Sequence, residues 1–182
     1  NADTPVITED IAPSPANDYA ISKLAMEHVA QVWSARLPII TVRPFNYTGV
    51  GQSERFLLPK IVGHFQRKAP VMELGNLDVA RVFSDVRTVV DAYRRLLESP
   101  GAVGHTYNVC SGRAVTLMEV LDAVRSMSGH TVDVRINPAF VRKNEVRSLR
   151  GNPARLESLI GPLRHVSLEE TLNWMLTSSK TV

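Results

Sequence analysis

The sequence predicts an α/β protein on two observations. Segments whose apolar residues recur at helical spacing alternate along the chain with short runs rich in β-branched residues. No internal repeat or low-complexity segment interrupts this alternation, and 182 residues are enough for a hydrophobic core. A sheet of mainly parallel strands is therefore expected, because helices between successive strands allow parallel pairing.

The first half of the chain predicts alternating elements around one polar loop. In order, they are a helix at about 18–36, a strand at 37–42, a glycine-bearing loop at 46–53, a helix at about 56–68 and a strand at 71–74. Asn17 is a typical N-cap for the first helix. The continuous β-branched run of the first strand is typical of a parallel strand that is buried on both faces.

The second half continues the pattern. Its predicted elements are a short strand at 81–84, a helix at 86–98, a strand at 106–110, a helix from 117, a strand at 132–136 and helices at about 153–159 and 168–176. Thr116 is the expected N-cap of the helix that begins at 117, and Gly129 lies near its end.

Composition narrows the classes of partner. The formal net charge is +3 and the basic residues are scattered, so we expect no nucleic-acid partner. No apolar run approaches the roughly 20 residues of a membrane helix. We therefore expect a cytoplasmic protein with no membrane partner. Cys110 is the single cysteine and the five histidines are dispersed, so we expect a buried, inert thiol and no metal site.

Tyr19 and Lys23 form a Y-x-x-x-K pattern in the first predicted helix. Residues four apart project from the same helix face. A phenol, whose ordinary pKa is about 10, exchanges protons poorly at neutral pH, and a neighbouring ammonium stabilises the phenolate. The pair is therefore a candidate proton donor with its supporting cation. The pattern is common by chance, so an unremarkable tyrosine and lysine on a helix surface are the alternative interpretation.

Context favours the catalytic interpretation. About twenty residues after Lys23, the first predicted strand leads into the segment RPFNYTGVGQ at 43–52. The order of Y-x-x-S-K, a strand and this segment resembles the extended short-chain dehydrogenase/reductases, which carry R-P-F-N-x-x-G-P-G-Q. Val50 stands where that family usually has proline.

This resemblance implies roles for residues in both motifs. It implies that Tyr19 and Lys23 are catalytic and also bind the cofactor. Pro44 and Phe45 would contact the cofactor as well, and Asn46 would contact the substrate. The cofactor implied by the family is NADP or NAD, and the substrate is a nucleotide-diphosphate sugar.

Two later segments resemble the same family. The segment GNLDVARVFSDV at 75–86 is similar to G-N-L-x-x-x-R-D-F-x-x-V, with Val82 in place of the aspartate. This similarity implies that Arg81 reaches the nucleotide diphosphate, a task suited to a planar charged fork; a solvated surface arginine is the alternative. Arg142 and Glu145 lie in RKNEV, which resembles R-P-x-E-V and implies contacts to phosphate and ribose hydroxyls.

The combined motifs look closest to the GDP-mannose branch of that family. The resemblance implies the C-terminal part of a Rossmann-type, doubly wound parallel sheet plus a small α/β substrate-binding domain. Residues 17–53 and 81–112 would supply later elements of the dinucleotide sheet, and 54–80 and 113–182 the substrate domain. None of the ten glycines forms G-x-x-G-x-x-G, so we expect the dinucleotide-binding unit to precede Asn1 in a longer protein. The resemblance also implies a second copy of the chain as partner, giving a homodimer.

The expected reaction is NAD(P)H-dependent reduction of the C4 ketone of a GDP-linked 6-deoxy-hexulose by the complete protein. GDP-mannose 4,6-dehydration and epimerisation of another nucleotide sugar are the alternatives in the same fold, and the residues that decide among them would lie upstream of Asn1. A non-catalytic binding module without a cofactor site is the alternative of a different class, and we expect the isolated chain to be inactive.

Overall fold

The structure is a computed structural model that describes residues 6–141 and 147–178. Its helices are α1 (Asp18–Trp33), α2 (Leu57–Gln66), α3 (Val86–Leu97), α4 (Leu117–Ser128), α5 (Ala154–Ile160) and α6 (Leu168–Thr177). Its strands are β1 (Thr41–Pro44), β2 (Tyr47–Thr48), β3 (Val71–Leu74), β4 (Ala80–Val82), β5 (Ser84–Asp85), β6 (Thr106–Val109), β7 (Ala114–Thr116), β8 (Asp133–Ile136) and β9 (Ser148–Leu149). The predicted alternation of helices and strands is confirmed.

Local side-chain chemistry sets the predicted helix ends. The Asn17 side chain accepts a hydrogen bond from the backbone N–H of Ala20 at 2.9 Å, which confirms the predicted N-cap of α1. Thr116 caps α4 in a capping box, because its hydroxyl accepts from the backbone N–H of Glu119 while the Glu119 carboxylate accepts from that of Thr116. Gly129 ends α4 in the left-handed conformation, with φ of 62°.

The first strand differs from its prediction. The sequence predicts a strand over 37–42 that is buried on both faces, but β1 begins at Thr41, ends at Pro44 and has no fully buried residue. Pairing sets its start, because Thr41 lies opposite Thr106 of β6 and the residues before it lie outside that register. The burial prediction is wrong because, in the described part of the chain, β6 is the one strand paired with β1. Helix α1 also ends earlier than predicted, at Trp33.

The strands form four small sheets within the described ranges. Strands β1 and β6 are parallel, as are β2 and β5, and β3 and β8. Strand β4 lies between β7, with which it is antiparallel, and β9, with which it is parallel. The sequence does not predict β2, β7 or β9, because runs of two or three residues carry no readable period.

Two apolar cores hold these elements together. The first lies among α2, α4, α6 and β3, where Ile61, Val120 and Leu172 are fully buried. The second lies among α3, α5 and β6 and includes Ala92 and Leu156. No helix among the described residues is both long enough and apolar enough to cross a membrane.

Candidate active site

The candidate catalytic pair lies at the start of α1. Tyr19 occupies the first turn of the helix and Lys23 follows one turn later, so both side chains project from the same side. Tyr19 is 74% exposed, and the Lys23 amine lies 3.9 Å from the sulfur of Met26. The structure therefore leaves the phenol accessible to a ligand.

Arg43 connects this helix to strand β1. Its Nε donates to Glu27 Oε1 at 2.9 Å and its Nη2 donates to Glu27 Oε2 at 2.6 Å. This hydrogen-bonded carboxylate raises the pKa of Arg43 above its ordinary value, although burial opposes the shift. Because Glu27 lies on α1, this ion pair joins the helix to the strand.

The segment after β1 is held by backbone and side-chain hydrogen bonds. The Phe45 N–H donates to the carbonyl of Val109 at 3.0 Å, which extends the pairing of β1 with β6. The Asn46 amide donates to the carbonyl of Val82 at 3.3 Å, and the Asn46 carbonyl accepts from the Ser84 N–H at 2.9 Å. Asn46 therefore lies where the carboxyl end of β1 meets the β4–β5 segment, at the edge of a parallel sheet where ligands commonly bind.

Phe45 packs inward. A side chain on Gly151 would overlap the Phe45 ring, and it would lie 2.8 Å from the sulfur of Cys110. Glycine is therefore required for this close approach. Cys110 is buried, as predicted, and burial raises the pKa of its thiol to about 11, so the thiol stays protonated at neutral pH.

Arg81 lies on β4, the central strand of the three-stranded sheet. Its Nη1 donates to the Ala80 carbonyl at 2.9 Å and to the Arg147 carbonyl at 3.3 Å. The guanidinium thus lies beside the chain that leads into β9. Arg142 and Glu145, which the sequence predicts as further substrate contacts, lie outside the described residues.

Sequence reasoning missed a cation beside an exposed ring. The Lys60 amine donates to the Glu73 carbonyl at 2.6 Å and lies 4.6 Å from the centroid of the Phe140 ring, which is 48% exposed. A side chain on Gly75 would overlap the Phe140 carbonyl, so the chain after β3 lies directly against this segment. No pattern in a single sequence signals a contact between residues so far apart.

A second missed feature is a buried carboxylate between α3 and α6. The Asp85 side chain is fully buried, caps α3 and accepts from Arg87 Nε and Nη2, each at 2.8 Å, and from Thr171 Oγ1 at 2.8 Å. Burial alone would raise the pKa of Asp85, but these hydrogen bonds outweigh it and the pKa lies below its ordinary value. The Arg87 guanidinium also lies 4.2 Å from the Trp174 ring centroid.

No group of three or more His, Cys, Asp or Glu side chains among residues 6–141 and 147–178 is arranged to hold a metal ion. The structure places Tyr19 and Lys23 exposed on α1, Asn46 after the carboxyl end of the parallel strand β1, and Arg81 on the sheet formed by β4, β7 and β9. These positions agree with the roles that the resemblance to extended short-chain dehydrogenase/reductases implies.

The family follows from direct comparison. The family described as GDP-mannose 4,6 dehydratase matches residues 1–175, and the chain belongs to this family. The predicted relationship to the extended short-chain dehydrogenase/reductases is thereby confirmed.

Two curated bacterial enzymes are similar in sequence. The chain is 34% identical over 159 residues to GDP-6-deoxy-D-talose 4-dehydrogenase from Aggregatibacter actinomycetemcomitans, which covers 87% of this chain and 54% of that enzyme. It is 34% identical over 178 residues to GDP-6-deoxy-D-mannose reductase from Pseudomonas aeruginosa, which covers 94% of this chain and 58% of that enzyme. The chain thus spans little more than half the length of these relatives.

Solved structures share the fold. A Burkholderia cenocepacia protein is 55% identical and superposes with a TM-score of 0.91, over 94% of this chain and 56% of that one. RMD from Pseudomonas aeruginosa, solved in complex with NADPH, is 32% identical with a TM-score of 0.88, over 96% of this chain and 60% of that one. The predicted α/β, Rossmann-type fold class is confirmed.

Proposed function

We propose that the complete protein containing this chain reduces the C4 ketone of a GDP-linked 6-deoxy-hexulose with NADPH or NADH. The observation that carries the proposal is the exposed Tyr19 and Lys23 pair, placed on one side of α1. The names of the two curated relatives support a GDP-linked 6-deoxy-hexose as the substrate class. The NADPH complex of RMD supports the cofactor class.

Each residue of the pair has a distinct role in this proposal. Tyr19 donates a proton to the oxygen that becomes the C4 hydroxyl, where negative charge develops in the transition state. Lys23 stabilises the resulting phenolate and donates a hydrogen bond to a ribose hydroxyl of the cofactor. The accessible phenol and ammonium fit a dinucleotide that binds along this side of the helix. When bound, the cofactor supplies the hydride.

The remaining predicted residues would orient the ligands. Pro44 and Phe45 would contact the cofactor through the backbone, because the Phe45 ring packs against Gly151. Asn46 would contact the substrate from the carboxyl end of β1. Arg81 would receive the diphosphate, since a guanidinium can contact two phosphate oxygens at once.

The complete protein would also contain a glycine-rich dinucleotide-binding unit that packs against this chain. In the described ranges, strand β1 pairs with β6 on one edge and its other edge is open. On helix α3, the side chains of Val90 and Leu97 are 61% and 80% exposed. An open parallel edge and an apolar helix stripe both favour cover by another unit. That unit would supply the backbone N–H groups that receive the cofactor pyrophosphate.

We also propose a homodimer formed through α1. The side of α1 that faces away from β1 carries exposed apolar residues, namely Ile21, Met26, Val29, Val32 and Trp33. Because such a surface is unfavourable in water, a second copy would cover it. Sedimentation velocity of the complete protein should give a dimer that Val32→Asp dissociates. A monomeric wild-type protein would exclude this arrangement.

The reductase is tested by NADPH oxidation at 340 nm with GDP-4-keto-6-deoxy-mannose, using the complete protein. Tyr19→Phe should lower kcat by about 100-fold or more, because it removes the proton donor. Tyr107→Phe is the matched control: Tyr107 is buried and its hydroxyl lies 3.5 Å from the Gly101 carbonyl, a long hydrogen bond, so turnover should stay close to wild type.

Other outcomes redirect the assignment. Conversion of GDP-mannose to the keto sugar without net NADPH consumption would make the protein a 4,6-dehydratase. Interconversion of two nucleotide sugars that differ at one carbon would make it an epimerase. A complete protein that neither binds NADPH nor turns over any of these substrates would support a non-catalytic binding module.

A further inference from the structure

We infer that Arg43 is a positioning residue for the reaction, fixing the catalytic helix α1 against the strand that leads to the substrate motif. This inference rests on the proposed function. Arg43 does not carry the proton and need not touch either ligand. Its proposed task is to hold Tyr19 at a set distance and angle from the segment that begins at Pro44.

The contact between Arg43 and Glu27 is forked and largely shielded. Two parallel hydrogen bonds, at 2.9 Å and 2.6 Å, join the guanidinium to both carboxylate oxygens. The two side chains are only 28% and 25% exposed. A bidentate pair fixes orientation as well as distance, and partial burial strengthens the attraction relative to an exposed pair.

Within the described part of the chain, few other contacts anchor helix α1. It has no buried residue. Its inner side carries Ala20, Leu24 and Glu27, which are half-buried. Among residues 6–141 and 147–178, the Arg43–Glu27 pair supplies the side-chain hydrogen bonds that join α1 to another element.

The pair can control the catalytic groups because they share one ridge of the helix. Tyr19, Lys23 and Glu27 follow one another at intervals of four residues, so they lie in one row along α1. Glu27 is about 12 Å along the helix axis from Tyr19. A helix transmits a tilt or slide over that distance, so a change at Glu27 displaces the phenol.

Arg43 also reaches the loop that precedes α1. Its Nη1 donates to the Glu9 carbonyl at 3.3 Å, and the Glu9 carboxylate accepts from the Asn108 N–H of β6 at 2.8 Å. One guanidinium thus joins the loop before the helix, the helix itself and the strand β1. A lysine cannot reproduce this geometry, since it offers a point charge in place of a planar fork.

The test compares two arginine–glutamate pairs in the complete protein. Arg43→Lys keeps the charge but removes the fork, and Glu27→Gln tests the same contact from the other side. The matched control is Arg67→Lys, which changes another bidentate pair: Arg67, directly after α2, bonds Glu54 at 2.8 Å and 2.9 Å. Neither Arg67 nor Glu54 has a proposed role in catalysis or binding.

Arg43→Lys and Glu27→Gln should each lower kcat about tenfold, while KM for the nucleotide sugar changes by less than about twofold, because small misplacements of a catalytic group are costly. Combining Arg43→Glu with Glu27→Arg should restore part of kcat relative to Arg43→Glu alone. Arg67→Lys should leave both constants within about twofold of wild type. Unchanged kcat in Arg43→Lys, or equal losses in Arg43→Lys and Arg67→Lys, would overturn the inference.

Hydrogen exchange separates this inference from the proposed function, because it does not require turnover. Amides 18–33 should exchange about tenfold faster in Arg43→Lys than in Arg67→Lys, with other helices unchanged. Equal exchange in the two variants would overturn the anchoring role of Arg43. A wild-type protein inactive on all nucleotide sugars would instead refute the proposed function and leave the exchange result to decide whether Arg43 anchors α1.

Discussion

Two regions of this chain differ in how completely their apolar side chains are covered. In the core among α2, α4 and α6, Ile61 and Leu172 have no exposed surface. Around α1 and the outward stripe of α3, by contrast, Val32 is 78% exposed and Leu97 is 80% exposed. The apolar side chains of the first region are covered by other described residues. Those of the second region are exposed, as is typical of a surface that another unit or copy contacts.

The difference matters for function because the candidate catalytic pair lies on the uncovered side. Tyr19 and Lys23 belong to α1, while Arg81 belongs to the sheet beside the closed core. The chain spans 54% and 58% of the lengths of its two curated relatives. In the proposed function, the closed region would present substrate contacts, and a cofactor-binding unit would complete the site at the open region.

The strongest test of this contrast uses the same substitution in both regions. Leu172→Ala should lower the free energy of unfolding by about 2 to 5 kcal/mol, since it leaves a cavity in a packed core. Leu97→Ala should change it by less than about 0.5 kcal/mol in the 182-residue chain. Urea denaturation measures both. Similar losses in the two variants would show that the regions are equally packed.

A smaller effect is expected at the junction between α3 and α6. Asp85→Asn should destabilise the chain by about 2 kcal/mol, because charged hydrogen bonds from Arg87 and Thr171 weaken. The native pKa of Asp85 lies below its ordinary value, so the contribution is present above pH 3.8 and is lost as the pH falls through the lower native pKa. The stability difference between wild type and Asp85→Asn should therefore shrink below pH 3.8. A difference that grows on acidification would contradict the assignment.

The smallest expected effect on the free energy of unfolding comes from replacing helix caps, one in each region. Thr116→Ala should destabilise the chain by about 1 kcal/mol, because α4 packs into the closed core and its cap is coupled to global unfolding. Asn17→Ala should cost less than half as much in the same chain, since α1 has no buried residue and can fray locally. Urea denaturation gives the first value, and hydrogen exchange of amides 18–33 detects the local fraying. Equal global costs would mean that α1 is as firmly packed as α4.

Much of the fold could be predicted because local signals decided it. The helices at α3 and α4 show strong apolar periodicity, and Asn17, Thr116 and Gly129 mark helix ends by side-chain and backbone chemistry that operates within a few residues. The first strand was predicted four residues too early and too buried, because its bounds depend on its register with Thr106 and its burial on neighbouring strands. Neither the bounds nor the burial of β1 can be derived from the residues of the strand alone.

In the candidate site too, local patterns predicted some residues, whereas tertiary contacts decided others. Tyr19 and Lys23 could be proposed from spacing, and Asn46 and Arg81 from motifs. The Arg43–Glu27 pair and the Asp85 junction could not, since each depends on a tertiary contact between residues that no local pattern links. The roles of all the proposed site residues, Arg142 and Glu145 included, stay predictions.

Calorimetry with NADPH tests the central claim most directly, namely that this chain carries the catalytic pair but needs a dinucleotide-binding unit to bind the cofactor. We expect no binding of micromolar strength by residues 1–182 alone, because they contain no glycine-rich loop for the pyrophosphate. The complete protein should bind NADPH with a micromolar or lower Kd. Micromolar binding by the 182-residue chain alone would contradict the account.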